Sequence, residues 1–198
     1  MKKMKQKDIN RENLLNYGVT LLMQQGYHGT GLQEILDAVQ VPKGSFYNYF
    51  SSKEIFAAEM IEHYIEPYLI QLQTYLNEAD GHSLAALERY LNESMAELER
   101  TQFKGGCLLG NLTGEISDTS DICRKALQQA LGRYRDVWEM GFYRAQKEGS
   151  IRNDKTAREL ADLWVNSWQG ALLRMKIEQS IMPLKQCKEA ILDDFFKA

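Results

Sequence analysis

The sequence predicts an all-α fold, with a small N-terminal domain of three helices followed by a larger helical domain. Apolar residues recur at intervals of three and four along most of the chain, no segment shows the alternation of a half-buried strand, and glycine and proline separate the helical segments. A chain of 198 residues can bury a substantial core. We divide it into an N-terminal domain of residues 1–56 and a C-terminal domain of residues 57–198.

The first predicted helix ends at Gly26-Tyr27, where glycine favours termination. A second, short helix is predicted over residues 32–39. We expect the Thr30 hydroxyl to cap its first turn while Gln33 reaches back. Pro42 excludes the preceding residue from the α region and suits the start of a helix, so a third helix is expected from about Lys43. Two short helices joined by such a turn form a helix-turn-helix.

The third helix carries side chains of the types that contact nucleic acid. Phe46 and Phe50, four residues apart, form its apolar face and leave the polar residues to project elsewhere. Lysine and hydroxyl groups pair with phosphate, asparagine pairs with an adenine edge, and glycine lets the backbone approach a duplex. Lysine at the start of the fourth helix adds an ammonium to a helix N-terminus. The predicted DNA-binding surface consists of Thr30, Gln33, Lys43, Gly44, Ser45, Tyr47, Asn48, Tyr49 and Lys53.

The motif KGSFYNYF at residues 43–50, followed by Ser52-Lys53-Glu54, matches a known pattern. It resembles the DNA-binding domain of TetR-type transcriptional repressors, whose third helix reads KG[ST]-[FL]-Y-x-[YH]-F and is followed by SKE. Two positions depart from the pattern: Gln40 stands where the family usually has a turn glycine, and Gly31 where a phosphate-binding Ser or Thr is common. The resemblance implies a repressor that binds operator DNA and is released by an effector.

The charge distribution fits a small DNA-binding module on a larger body. The net charge is −3, but residues 1–56 carry +2 and residues 57–198 carry −5. This distribution argues against a protein that coats nucleic acid in general and favours a short, directed contact. Four early lysines, Lys2, Lys3, Lys5 and Lys7, form either an arm along the DNA backbone or a solubilising end.

The rest of the chain is predicted to be helical. The expected helices cover residues 55–78, 84–103 and 107–116. After a polar turn at residues 117–121, a long helix reaches about Lys147, a further helix capped by Asp154 reaches about residue 180, and a last helix opens at Pro183. The last two helices are more apolar than a small body requires, which favours pairing with a second copy into a four-helix bundle, although an ordinary core explains many of these residues equally well. A homodimer would place two helix-turn-helix modules on a palindromic operator. The predicted interface residues are Trp164, Trp168, Ala171, Leu172, Ile191 and Phe195.

Two kinds of effector site are indicated. Tyr68, Phe103, Asn111, Trp138 and Phe142 are of the types that line a ligand cavity, but aromatic residues at helical spacing more often simply pack.

Cys107 follows Gly105-Gly106 and Lys104 at a predicted helix start, where unpaired amides and positive charge favour a reactive thiolate. A buried, inert cysteine is the alternative. Together with Lys176, the Gly106-Cys107-Leu108 segment resembles the electrophile- and oxidant-sensing branch of TetR-type repressors, which includes the repressor of N-ethylmaleimide reductase. That resemblance implies that Cys107 is the sensor and that Lys176 lies near it. The segment also resembles related repressors that bind small unsaturated acids, so a reversible ligand remains open.

Other function classes are disfavoured. There is no Cys-x-x-Cys, the three cysteines lack metal-ligand spacing, and His28, His63 and His82 form no recognisable nucleophile-base arrangement, so we expect no enzymatic activity, no metal and no cofactor. No apolar run is long enough to span a membrane, and the basic N-terminus runs into polar residues and not into the apolar stretch of a signal peptide. We therefore expect a cytoplasmic protein. A helical interaction protein that no longer binds DNA is the remaining alternative.

Overall fold

The computed structural model describes residues 6–197. Of the early lysines, Lys2, Lys3 and Lys5 lie outside the described residues. Within residues 6–197 the chain forms α-helices and no strands, which confirms the predicted fold class. The helices are α1 (Gln6–Gly29), α2 (Leu32–Ala38), α3 (Lys43–Phe46), α4 (Lys53–Asn77), α5 (Ser83–Arg100), α6 (Leu108–Ile116), α7 (Asp121–Lys147), α8 (Ala157–Glu178) and α9 (Met182–Cys187), and a π-helical segment (Lys188–Phe195) continues α9.

The described residues fall into two compact units. The N-terminal unit comprises residues 6–66 together with Leu108–Ala130, and the C-terminal unit comprises Pro67–Cys107 together with residues 131–197. Besides the predicted helix-turn-helix domain, the N-terminal unit therefore contains the first part of α4, the whole of α6 and the start of α7. No helix in the described part of the chain is both long and apolar enough to cross a membrane.

An apolar core holds the N-terminal unit together. Phe46, Phe50 and Phe56 are at most 1% exposed, and their rings lie 4.5–5.5 Å apart between centroids. Such close aromatic contacts stabilise the core beyond the burial of area. The packing joins α3 and the residues after it to the start of α4, which fixes the direction in which the polar side of α3 faces.

The turn between α2 and α3 is left-handed at Gln40, whose φ is 55°. This is the position at which the resemblance leads one to expect glycine. Glycine adopts a positive φ without steric cost, whereas glutamine at this position adds local strain. The turn nevertheless keeps the predicted form, since Val41 donates from its backbone N–H to the carbonyl of Leu36 at 2.9 Å and α3 starts at Lys43, as expected.

The C-terminal unit has a second aromatic core. Trp138, Phe142, Trp164 and Phe196 are fully buried, and neighbouring ring centroids lie 5.1–5.6 Å apart. These contacts join α7, α8 and the residue that follows the π-helical segment. The unit thus has a hydrophobic core of its own.

Three helix boundaries in the C-terminal unit differ from the prediction. The helix predicted to reach Phe103 ends at Arg100. The cap of α8 is Thr156 and not Asp154: the Thr156 side chain accepts from the backbone N–H of Glu159, and the Glu159 carboxylate accepts from the backbone N–H of Thr156. This reciprocal pair satisfies two N–H groups that the helix start leaves free. Asp154 instead forms an ion pair with Arg152. The chain after α9 changes to π-helical hydrogen bonding, which the periodicity of the sequence did not indicate.

Candidate DNA-binding surface and effector site

The polar side of α3 is open to solvent. Lys43, Gly44 and Asn48 are exposed, and the Tyr47 ring is 60% exposed. A methyl group placed on Gly44 would meet no atom within 4 Å, so the backbone there is uncovered. Exposed lysine, tyrosine and asparagine side chains around bare backbone provide the donors that contact phosphates and base edges.

Two predicted members of this surface have other contacts. Thr30 is only 2% exposed, and its hydroxyl donates back to the carbonyl of Gly26 at 2.6 Å. It therefore does not cap α2, whose N-cap is Gly31 without a side-chain hydrogen bond. The predicted cap is therefore wrong, whereas a contact of Thr30 with DNA stays a prediction, for which the buried hydroxyl offers no donor. Gln33 is exposed, and it pairs with Asp37 on its own helix at 2.7 Å without reaching back.

The remaining predicted contacts surround α3. Ser45 and Tyr49 are partly buried, and the Tyr49 hydroxyl accepts from the Asn10 amide on α1 at 3.3 Å. Lys53 is exposed, its ammonium donates to the carbonyl of Thr30 at 3.1 Å, and the same ammonium lies 5.0 Å from the centroid of the Tyr27 ring. A lysine ammonium has three donors, so this contact leaves donors for a phosphate.

Cys107 follows a run of left-handed residues. The φ angles are 55° at Gln102, 61° at Phe103, 85° at Gly105 and 69° at Gly106. Non-glycine residues in this region of φ cost of order 1–3 kcal/mol each, and such strain concentrates at functional sites. The loop before Cys107 thus has a backbone conformation that loops between helices rarely adopt.

The C-terminal unit places two polar side chains of α8 beside this loop. The partly buried Cys107 thiol receives a hydrogen bond from the Gln169 amide, with 3.3 Å between nitrogen and sulfur. A methyl group placed on Gly106 would lie 3.0 Å from Cδ of Lys176, so the lysine side chain covers the residue before the cysteine. Gln169 and Lys176 are seven residues apart and so lie on one face of the helix. Gln169 was not among the residues predicted from the sequence, although its spacing from Lys176 could have identified it.

The other two thiols are less available as thiolates. Burial raises the pKa of Cys123, and burial raises the pKa of Cys187 to about 11. Burial disfavours the charged form of a thiol, and the thiolate is the nucleophile. The sulfur of Cys123 also donates to the carbonyl of Glu54 at 3.8 Å, which suits a space-filling residue of the core.

The predicted cavity residues have different environments. Trp138 and Phe142 are fully buried in the aromatic core, Phe103 is partly buried, and Tyr68 is 41% exposed. Asn111 lies on α6 and belongs to the N-terminal unit. Near Trp138, burial raises the pKa of Tyr90 to about 12, so its hydroxyl remains a neutral donor at physiological pH.

Most of the predicted interface residues lie inside the single chain. Trp164 and Trp168 stack at 5.1 Å between centroids and are 0% and 4% exposed, while Ala171 and Leu172 are each 7% exposed. They belong to the core of the C-terminal unit and offer little area to a second copy. Ile191 is partly buried and Phe195 is 39% exposed. The exposed apolar residues of α8 and α9 are Leu163, Leu173, Ile177 and Met182, of which Ile177 is 82% exposed.

Glu115, which none of these predictions includes, joins α6 to the end of α1. Gly26, with φ 71° and ψ −177°, interrupts the helical conformation of α1, and the Glu115 carboxylate of α6 accepts from the Tyr27 backbone N–H at 2.7 Å. The signal in the sequence was a single carboxylate on a short, otherwise uncharged helix, LLGNLTGEI.

Comparison with protein families decides the classification. Residues 14–60 match the model of the bacterial regulatory proteins of the tetR family, and residues 83–191 match the tetracyclin repressor-like C-terminal domain. The chain belongs to the tetR family. It is a DNA-binding transcriptional repressor and not an enzyme, which confirms the class implied by the motif in α3.

Individual relatives extend over nearly the whole chain. The repressor DhaR of Mycobacterium sp. is 35% identical over 89% of this chain and 87% of its own, and the regulator AcuR of Cereibacter sphaeroides is 39% identical over 89% and 80%. The crystal structure of reduced Escherichia coli NemR superimposes with a TM-score of 0.84 at 29% identity, covering 96% of this chain and 97% of that one.

Alkylation of the three thiols should be selective. Because the pKa of Cys187 is about 11, only about one in a thousand of its thiols, or fewer, is ionised at pH 7.5. We expect iodoacetamide to label Cys107 at least about tenfold faster than Cys187, as measured by peptide mass spectrometry. Raising the pH to 9.5 should accelerate Cys187 by about a hundredfold, since its thiolate fraction grows until the pH passes its pKa. Faster labelling of Cys187 at pH 7.5 would contradict this assignment.

Proposed function

We propose that the chain is a homodimeric repressor that binds a palindromic operator and releases it when an electrophile or oxidant modifies Cys107. The observation that carries this proposal is the environment of the thiol. Cys107 is partly buried beside the Gln169 amide, whereas the other two cysteines have raised pKa values. The Gln169 amide is therefore placed to contact the thiol and any group that is added to it.

The chemistry at Cys107 would follow the class of effector. With an electron-poor alkene, the sulfur forms a bond to one alkene carbon and the other takes up a proton, so no oxidation occurs. With a peroxide or hypohalous acid, the sulfur undergoes a two-electron oxidation to sulfenic acid. Attack by the Lys176 amine on that sulfur would then expel water and form a sulfur–nitrogen bond. The contact of Lys176 with Gly106 supports this pairing.

The position of Cys107 in the chain supports a route to the DNA-binding surface. The next residue, Leu108, is the first of α6, and its backbone N–H donates to the Tyr64 hydroxyl of α4 at 3.3 Å. A bulky group on the thiol would displace the start of α6 and disturb this contact. We propose that the displacement tilts the helix-turn-helix modules by way of α4. Release requires that modification favours the module arrangement with lower operator affinity.

A second copy would pack against the exposed apolar side chains of α8 and α9. Ile177, Met182 and Leu173 are 82%, 50% and 47% exposed in the single chain. Burying such a patch at a two-fold axis stabilises association, because the same apolar side chains of both copies are removed from water. Two copies would then present two α3 helices about one turn of DNA apart, roughly 34–36 Å.

A reversible ligand is the alternative effector. The segment around Cys107 also resembles repressors that bind small unsaturated acids, so the resemblance alone does not separate the two modes. The buried indole nitrogen of Trp164 has no hydrogen-bond partner among the described residues, and Gln169 lies on the same helix. Donors of this kind suit the carboxylate of a small unsaturated acid. In this version Cys107 would be a contact residue and would not react.

Substitution of the sensor thiol tests the covalent mechanism. Treatment with N-ethylmaleimide should weaken operator binding of the wild-type protein by about 5- to 150-fold, the usual range of allosteric coupling. We expect Cys107→Ser to bind the operator normally and to lose this response, while Cys187→Ser keeps it. The measurement is fluorescence anisotropy with a labelled operator. A full response in Cys107→Ser would remove the thiol from the mechanism, and a response of both proteins to acrylate would favour the reversible ligand.

The contact of Lys43 with phosphate predicts a specific salt dependence. Lys43→Ala should lower the slope of log affinity against log salt by about 0.9 for each copy bound, and so by about 1.8 for a dimer. The effect should be similar on every sequence, because a phosphate contact carries no base information. Lys125→Ala, an exposed lysine on α7 of the same unit, is the matched control and should leave the slope unchanged. An unchanged slope in Lys43→Ala would place this lysine away from DNA.

The proposed interface predicts the assembly state of one variant. Ile177→Asp should sediment as a monomer and lose at least about tenfold in operator affinity, since a carboxylate would be buried against its own copy. Ile70→Asp, at a 54% exposed isoleucine of α4, is the control and should remain dimeric. A dimeric Ile177→Asp would show that the interface lies elsewhere. Analytical ultracentrifugation distinguishes these outcomes.

A further inference from the structure

The corner between α1 and α2 is held by a carboxylate from α6. At Gly26 the backbone leaves the helical conformation, so the next amide, of Tyr27, needs another acceptor. Glu115 supplies one, with 2.7 Å between Oε2 and the Tyr27 nitrogen. A hydrogen bond to a charged group is shorter and stronger than one between neutral groups.

The approach of Glu115 is possible only because residue 26 is glycine. A methyl group placed on Gly26 would lie 2.6 Å from Oε1 and 2.8 Å from Oε2 of Glu115, well inside contact distance. The positive φ of 71° would strain any other residue as well. The Glu115 carboxylate therefore needs both the absent side chain and the left-handed backbone of residue 26.

Hydrogen bonds continue from this corner to the start of α4. The Thr30 hydroxyl donates to the carbonyl of Gly26 at 2.6 Å, and the Lys53 ammonium donates to the carbonyl of Thr30 at 3.1 Å. The same ammonium lies over the Tyr27 ring. Since only two residues separate α1 from α2, fixing Tyr27 and Thr30 fixes the point at which the helix-turn-helix begins.

We propose that Glu115 is a positioning residue for DNA recognition: its bond to the Tyr27 amide sets the orientation of α2 and α3 relative to α6. Without this bond each α3 can still contact DNA. The angle between α1 and the helix-turn-helix, however, becomes variable. In a dimer this relaxes the distance between the two α3 helices. Operator affinity then falls because the two modules no longer match the two half-sites at once. The effect on spacing rests on the dimer proposed above, whereas the effect on the corner does not.

Four variants separate positioning from plain stability. Glu115→Ala removes the acceptor, Glu115→Asp keeps the charge but is one methylene shorter, and Glu115→Gln keeps an amide oxygen that can still accept from Tyr27. Asp118→Ala is the matched control, since this exposed carboxylate lies one turn further along the chain. Binding is measured on an operator recovered from a genomic library and on the same duplex with one base pair inserted between its half-sites.

We expect Glu115→Ala and Glu115→Asp to weaken binding to the recovered operator by about tenfold or more, but to the lengthened duplex by less than about threefold. Glu115→Gln should retain most of the discrimination between the duplexes, and Asp118→Ala all of it. Hydrogen exchange should show a faster Tyr27 amide in the alanine and aspartate variants.

Equal losses on both duplexes, or no loss on either, would overturn the positioning role. An unchanged rate of exchange at Tyr27 would overturn the bond itself. If the wild-type protein showed no preference for half-site spacing, the dimer proposal would fail, and the exchange rate of Tyr27 together with single-copy affinity would still decide the role of Glu115. If Glu115→Ala did not fold, the aspartate and glutamine variants would provide the same comparison.

Discussion

The packing of Phe46 and Phe50 against Phe56 is the constraint on which the DNA-binding surface depends. The α3 helix has four residues, far fewer than an isolated helix needs to persist in water. Its conformation therefore comes from burial of its apolar side and not from the helical propensity of a sequence that includes glycine. The same burial leaves Lys43, Tyr47 and Asn48 in solvent. The side chains that we propose to contact DNA thus lie opposite the buried aromatic side of α3.

In the C-terminal unit, the surroundings of Cys107 differ from those of the aromatic core. A thiol must be accessible and ionisable to react, whereas burial in an aromatic core opposes both. Cys107 follows the left-handed residues and is partly buried, whereas Trp138 and Trp164 are fully buried. Gln169 then adds a polar contact without a charge. The strained loop and the polar side chain on α8 thus give Cys107 an environment that differs from the apolar core.

Much of the fold could be predicted from the sequence because its signals are local. Pro42 fixed the start of α3, glycines marked the interruptions, and the spacing of Phe46 and Phe50 identified the buried side. The sequence was less informative where a side chain had two possible partners. Thr30 resembled a helix cap, but its hydroxyl bonds backward to Gly26 because that carbonyl is freed by the interruption of α1.

Long-range relations escaped the sequence for the same physical reason. The bond between Glu115 and Tyr27 joins residues 88 positions apart, and no periodicity encodes such a separation. The tryptophans of α8 illustrate a related limit, since an apolar stripe does not reveal whether it faces its own chain or another copy. Trp164 and Trp168 face inward, whereas Ile177 on the same helix is exposed to solvent.

The shortness of α3 has a consequence for how a genome is searched. One helical turn inspects only a few base pairs, and a motif of that size recurs by chance many thousands of times in a bacterial chromosome. In the proposed dimer two modules would read the operator together, so specificity would depend on the spacing of the two half-sites as well as on their bases. For such a dimer, a change in the half-site spacing would then weaken binding more than a change in one base pair would.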